Sequence, residues 1–140
     1  MILKDPIVVL ANGSFPKNQI ALNILKKAKS IICLDGATNK LIANNLEPTL
    51  IIGDLDSIKA QYKTKYKNII VEQKNQNQND LRKALNWLQK NNYKNIKVLG
   101  ASGEREDHFI GNIFGILDTD YSIDIQLVTD SGTFKVLKKG

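Results

Sequence analysis

Cysteine occurs once in the 140 residues, at Cys33, so an internal disulfide is excluded. Cys33 lies inside the apolar run Ile31-Ile32-Cys33-Leu34, where a buried, inert thiol is expected. No apolar run approaches the roughly 20 residues of a membrane span. Met1-Ile2-Leu3-Lys4-Asp5 lacks the layout of a signal peptide, and the cytoplasm is the expected compartment. Arginine occurs only twice, at Arg82 and Arg105. The formal charge of +6 therefore comes almost entirely from scattered lysines, without a block of about five or six like charges. That pattern reads as a solvated lysine surface with a modest steering field for a polyanionic small molecule, and nucleic acid is not expected as a partner. Two nucleotide motifs are missing as well. There is no Gly-x-x-x-x-Gly-Lys-Ser/Thr loop and no Gly-x-Gly-x-x-Gly after the first strand, so neither a P-loop enzyme nor a dinucleotide site of the usual kind is expected.

Short apolar runs recur at 7–10, 31–34, 50–52, 69–71, 96–99 and 125–128. Most are continuous rather than alternating, which suits strands buried on both faces of a parallel sheet, whereas Ile123 to Val128 alternates and is expected to be partly exposed. Between them lie helical patterns. Ile20, Leu22, Ile24, Leu25 and Ala28 approximate one apolar stripe; Leu81, Ala84, Leu85 and Leu88 follow i, i+3, i+4, i+7 spacing; Phe109, Ile110, Ile113, Phe114 and Leu117 do the same. The fold class is accordingly α/β: a doubly wound, mostly parallel sheet of about six strands with helices on both faces, Rossmann-like in plan. Thr133 to Leu137 reads as one more strand without a visible partner. The expected division is one α/β domain over 1–130, with 131–140 the start of a further, truncated module.

In open parallel sheets ligands bind beyond the carboxyl ends of the strands. Each unusual polar cluster of this chain follows a strand: Asn12-Gly13-Ser14, Asp35-Gly36-Ala37-Thr38-Asn39, Gly53-Asp54-Leu55-Asp56-Ser57, Gln76 to Asp80, and Gly100 to His108. Asp54 and Asp56 are two residues apart, and in extended backbone such side chains point the same way. Paired hard oxygen ligands beside a glycine suit a magnesium ion bound to phosphates. Asp35, Asp54, Asp56 and Asp80 are thus the candidate metal ligands, and Arg105 is a candidate fork for phosphate. Helix N-termini after Gly103 and Ser57 would add positive partial charge. Plainer readings stand beside these. Asp80, Asn79 and Ser57 can cap helices, Asp35-Gly36 can be only a turn, the glycines can serve tight turns, and His108 can be structural.

The motifs Asp35-Gly36-Ala37, Gly53-Asp54-Leu55-Asp56-Ser57, Asn79-Asp80-Leu81-Arg82-Lys83-Ala84-Leu85 and Gly103-Glu104-Arg105-Glu106-Asp107-His108, with Asn112, resemble the catalytic domain of the thiamine pyrophosphokinases. The resemblance runs from about Ile7 to Leu137. It implies transfer of diphosphate from ATP to thiamine, giving thiamine diphosphate and AMP, with Mg2+ as cofactor. It implies metal binding by Asp54, Asp56 and Asp80 with Asp35 close by, phosphate contacts from Gln76 and Arg105, and loop-shaping roles for Asp107 and His108. It also implies a homodimer, with thiamine between this domain and a small C-terminal β-sandwich of the other subunit. Glu104 stands where the family usually has a second glycine, and Asn75 and Asn77 where acids are common. Two other readings remain at this stage. One is a phosphotransferase resembling the aspartyl-nucleophile phosphatases, with Asp54 as nucleophile. The other is a non-catalytic module that binds nucleotide or RNA.

Overall fold

A computed structural model describes residues 2–72, 80–102 and 123–135. The elements run β1 (Ile7–Leu10), α1 (Gln19–Lys27), β2 (Ser30–Leu34), α2 (Ala37–Ala43), β3 (Leu50–Gly53), α3 (Ala60–Lys65), β4 (Ile70–Glu72), α4 (Asp80–Lys90), β5 (Asn95–Leu99), β6 (Asp124–Val128) and β7 (Thr133–Lys135). The strands form one seven-stranded sheet in the order β4-β3-β2-β1-β5-β6-β7. Every pairing is parallel except β6 with β7.

The continuous apolar runs become strands because both of their faces are covered. Side chains alternate across a strand, and here each alternate set enters its own core. Ile7, Val9, Ile32, Leu34, Leu50, Ile52, Ile96 and Val98 join Leu81, Ala84, Leu85 and Leu88 of α4. Val8, Leu10, Ile31, Cys33, Ile51 and Leu99 join Ala21 and Leu25 of α1 and Ala37 and Leu41 of α2. The i, i+3, i+4, i+7 reading of α4 is therefore met residue for residue. In α1 the expected stripe is met at Ile24, Leu25 and Ala28 and missed in the first turn. Ile20 is 68% exposed and Leu22 half-buried, while Ala21 and Leu25 are buried with Ile24 and Ala28 packed beside them. Positions 21, 24, 25 and 28 restore helical spacing; the larger Ile20 masked the small residue that faces the core. Asn18 caps this helix, its side-chain oxygen accepting from the amide of Ile20 at 2.7 Å.

Two further expectations change at the sheet edges. The 69–71 run forms an edge strand, shifted to Ile70–Glu72 and only half-buried, so it lacks the full two-sided cover of β1 to β3. The strand expected without a partner has one: Thr133, Phe134 and Lys135 pair antiparallel with Val128, Leu127 and Gln126. The tight turn 129–132, closed by Thr129 N–H to Gly132 O at 2.8 Å, folds β7 back onto β6. The helix expected over 109–117 lies outside the described residues. Among the described residues no helix is long and apolar enough to cross a membrane.

Cys33 is fully buried in β2, and burial pushes its thiol pKa up to about 12, with the Thr38 hydroxyl acting the other way. A thiolate is the reactive form. Folded protein is therefore expected to resist alkylation by iodoacetamide at pH 8, with modification appearing only in denaturant. Mass spectrometry of the adduct at both conditions checks this.

Candidate active site

The carboxyl ends of β1, β2 and β3 bring their following loops to one rim. Asp35 leaves β2 with its amide still donating to Ile52 O of β3 at 3.1 Å, which carries the ladder one residue past the strand. It then turns sharply at φ 45°, in the left-handed region. In the Asp35-Gly36 pair it is thus the aspartate that takes the unusual conformation, while Gly36, at φ −63°, starts α2. The turn directs the Asp35 carboxylate at the loop after β3, where both of its oxygens accept from the Ser57 amide, at 3.0 and 3.2 Å. The residue is only 6% exposed.

Asp54 follows β3, and Asp80 opens α4. One carboxylate oxygen from each of Asp35, Asp54 and Asp80 falls within 4.8 Å of the others. Gly53 lies at the centre of the group. It has φ 147°, and a Cβ there would stand 3.2 Å from Asp80 Oδ2 and 3.3 Å from Asp35 Cβ. The glycine thus leaves space in the middle of the cluster that any side chain would enter. Desolvation is the main reason that both Asp35 and Asp80 have raised pKa values. Ser57 opposes it at Asp35 and Lys83 opposes it at Asp80, and the neighbouring aspartates add repulsion at both. Three carboxylates held this close without a cation disfavour one another's charge. Their donor set, all hard oxygens, matches magnesium better than a thiophilic metal.

Asp56 is not part of the trio. Its side chain is exposed, and the amide of Asp56 donates to Asp54 Oδ1 at 3.2 Å. Two-residue alternation requires extended backbone, but Leu55 between the two aspartates has φ 69°. The local turn rotates Asp56 away from the direction of Asp54. Asp56 remains near enough for its charge to contribute to the raised pKa of Asp35. Ser57 caps no helix, because α3 begins only at Ala60 with Lys59 in the cap position. The positive end expected after Ser57 is instead the single Ser57 amide aimed at Asp35.

Around the carboxylates, the β1 loop packs backbone against backbone. Gly13 N–H donates to Gly100 O at 2.7 Å and Ser14 N–H to Ser102 O at 2.9 Å. A Cβ on Gly13 would fall 2.4 Å from Gly100 O, so a glycine is required there by the protein's own packing, whether or not a ligand is bound. Asn12, Gly36 and Ser57 meet beside Asp35: a Cβ on Gly36 would stand 2.7 Å from Asn12 Nδ2 and 3.0 Å from Ser57 Cβ. Gln76, Asn79, Gly103, Arg105, Asp107 and His108, together with Asn75, Asn77, Glu104 and Asn112, lie outside the described residues.

Several site residues carried no clear signal in the sequence. Asn39 of α2 grips the loop after Asp56 from both sides, its Nδ2 donating to Ser57 O at 2.8 Å and its Oδ1 accepting from the Lys59 amide at 3.1 Å. Lys40 donates to Gly13 O and so ties α2 to the β1 loop. Lys83 of α4 is buried with its Nζ 3.5 Å from Asp80 Oδ1. The Asp-x-x-Lys spacing at the start of a helix was the available clue to Lys83. Asn39 ends the polar cluster that follows β2, and only for Lys40 did the sequence offer no clue.

Residues 21–129 match the family described as thiamin pyrophosphokinase, catalytic domain. The chain belongs to that family. Among curated relatives, a thiamine pyrophosphokinase of Oryza sativa is 29% identical over 157 residues, covering 94% of the chain and 58% of the relative. The thiamine pyrophosphokinase of Bacillus subtilis is 34% identical over 86 residues, covering 59% and 40%. Among solved structures, a probable thiamine pyrophosphokinase of Staphylococcus saprophyticus superposes with a TM-score of 0.68 at 29% identity, over 89% of the chain and 65% of that protein. The yeast thiamin pyrophosphokinase, at 17% identity, shares the fold with a TM-score of 0.71, over 88% of the chain and 58% of that protein. This thiamin pyrophosphokinase catalytic-domain chain spans about half the length of the curated relatives it matches. The resemblance carried by the Asp35, Asp54 and Asp80 motifs is thus matched by the family assignment. The aspartyl-nucleophile and RNA-binding alternatives find no support in it.

Proposed function

We propose that this chain is the nucleotide-binding, catalytic part of a magnesium-dependent thiamine pyrophosphokinase, which transfers diphosphate from ATP to thiamine and releases AMP. The observation that carries the reading is the meeting of Asp35, Asp54 and Asp80 around Gly53 at the carboxyl rim of the sheet. These residues arrive from two strand ends and the head of a helix that packs on the opposite face from α1 and α2. That two-sided packing also favours the doubly wound, Rossmann-like description of the fold.

In this reading Asp35, Asp54 and Asp80 hold the ion, with Asp56 at the mouth of the site and free to approach a hydroxyl acceptor. Bound magnesium supplies charge neutralisation to the triphosphate. The chain's own residues do the positioning. The Ser57 amide fixes the Asp35 carboxylate, Asn39 fixes the loop that carries Asp54, and Gly53 keeps the centre open. Gln76 and Arg105 are proposed as phosphate contacts, with Asn12, Gly13, Gly36, Asn79, Gly103, Asp107 and His108 shaping the nucleotide pocket. A cytoplasmic homodimer, with thiamine seated between 1–130 of one subunit and a β-sandwich that begins near 131–140 of the other, completes the proposal. Since proximity supplies much of the rate of a two-substrate transfer, the 140-residue chain alone should bind Mg-ATP and turn over poorly.

Calorimetric titration with ATP, with and without magnesium and thiamine, tests this. Magnesium-dependent ATP binding that weakens by more than about tenfold in Asp54→Asn is expected. Magnesium-independent binding of equal strength in that variant would sink the proposal.

A further inference from the structure

We propose that Lys83 determines which divalent cation the site accepts, by keeping Asp80 a one-oxygen ligand. The inference rests on the metal reading given above. The two oxygens of Asp80 have different neighbours. Oδ2 abuts Gly53 at the centre of the carboxylate group, and Oδ1 faces the Lys83 ammonium at 3.5 Å. The Lys83 side chain is only 3% exposed, so it is fixed there by burial and not drawn from a mobile surface pool. Lys83 and Asp80 sit one turn apart at the head of α4, whose Leu81, Ala84, Leu85 and Leu88 are locked into the core.

Magnesium demands near-octahedral geometry with single-oxygen ligands and retained waters. Calcium takes more ligands and commonly grips a carboxylate by both oxygens. With Oδ1 turned toward the Lys83 ammonium, Asp80 presents Oδ2 to the carboxylate group, a geometry suited to the smaller ion. Among these four side chains, three carboxylates and one ammonium leave two negative charges, which one divalent ion neutralises. Lys83 is thus a positioning residue that acts through Asp80.

The test measures dissociation constants for magnesium chloride and calcium chloride, by calorimetry and by thermal shift, with a non-hydrolysable ATP analogue at fixed concentration. The parent chain is expected to prefer magnesium. Lys83→Met and Lys83→Gln free Oδ1 and should move the ratio toward calcium by about tenfold, the size usual for groups that orient a metal ligand. Lys83→Arg, which keeps a cation in place, should hold the parent ratio. A parent chain that binds calcium as tightly as magnesium overturns the inference even if the variants fail to fold. So does a ratio that moves by less than about twofold in folded Met and Gln variants. Binding of neither ion by the parent chain overturns the metal reading itself, and that result is distinct from binding without selectivity.

Discussion

Gly53→Ala is expected to destabilise the protein by about 2 kcal/mol and to abolish magnesium-dependent ATP binding. Gly53 occupies φ 147° at the end of β3, a region essentially closed to residues with a Cβ, where strain of about 1–3 kcal/mol is usual. The added methyl also lands 3.2 Å from Asp80 Oδ2 and 3.3 Å from Asp35 Cβ, inside the carboxylate group. Two effects follow from one atom: the backbone must shift, and the carboxylates must separate. Gly132→Ala is the control. A Cβ there meets nothing within 4 Å, and a change within about 0.5 kcal/mol is expected. Urea unfolding of both variants, followed by ATP titration, measures the contrast. Wild-type stability and binding in Gly53→Ala would refute the placement of this glycine at the heart of the site.

Asp35→Asn should weaken magnesium binding by more than about tenfold while making the metal-free protein more stable by about 1 kcal/mol. The asparagine side-chain oxygen can still accept from the Ser57 amide, so the structural bond survives and only the buried charge is removed. The sign with pH follows from the raised pKa of Asp35, whose ordinary value is 3.8. A carboxylate with a folded pKa above its unfolded value favours the folded state in its protonated form. Its contribution is fully present below the ordinary carboxylate pKa and is lost as pH rises through the raised value. Asp80 carries the same sign. Between about pH 4 and neutrality, metal-free wild type should therefore lose stability relative to Asp35→Asn as pH increases. Saturating magnesium should reverse the order of the two proteins at pH 7. Thermal melts of both across that range, with EDTA and with magnesium, decide the matter; parallel melting curves at every pH would contradict a buried, charge-penalised Asp35.

Much of the molecule was legible from the chain alone because one signal dominated. Runs such as Ile7–Leu10 and Leu50–Ile52 are apolar at every position, and only burial on two faces explains that. The α4 stripe was equally plain. What escaped were features set by backbone torsion or by distant pairing. The positive φ of Leu55 has no compositional mark, so Asp54 and Asp56 were expected to point together. Small Ala21 is hidden behind large Ile20, so the first turn of α1 escapes the pattern while Ile24, Leu25 and Ala28 follow it. A lysine normally belongs to solvent, and the burial of Lys83 became visible only once Asp80 was placed beside it. The partner of β7 could not be read locally, since strand pairing is decided by the sheet as a whole.

The strand order carries a kinetic consequence. β1 to β4 pair in sequence order on one side of β1, whereas β5 must return from far along the chain to lie against its other side. Contacts distant in sequence must repay the entropy of closing long loops, and they form slowly. Asp35 and Asp54 belong to the early-pairing half, but Asp80 arrives on the helix that leads into β5. During refolding, affinity for a divalent ion should consequently emerge with the docking of this crossover and not with the first appearance of sheet, making the cation a clock for the slowest join in the fold.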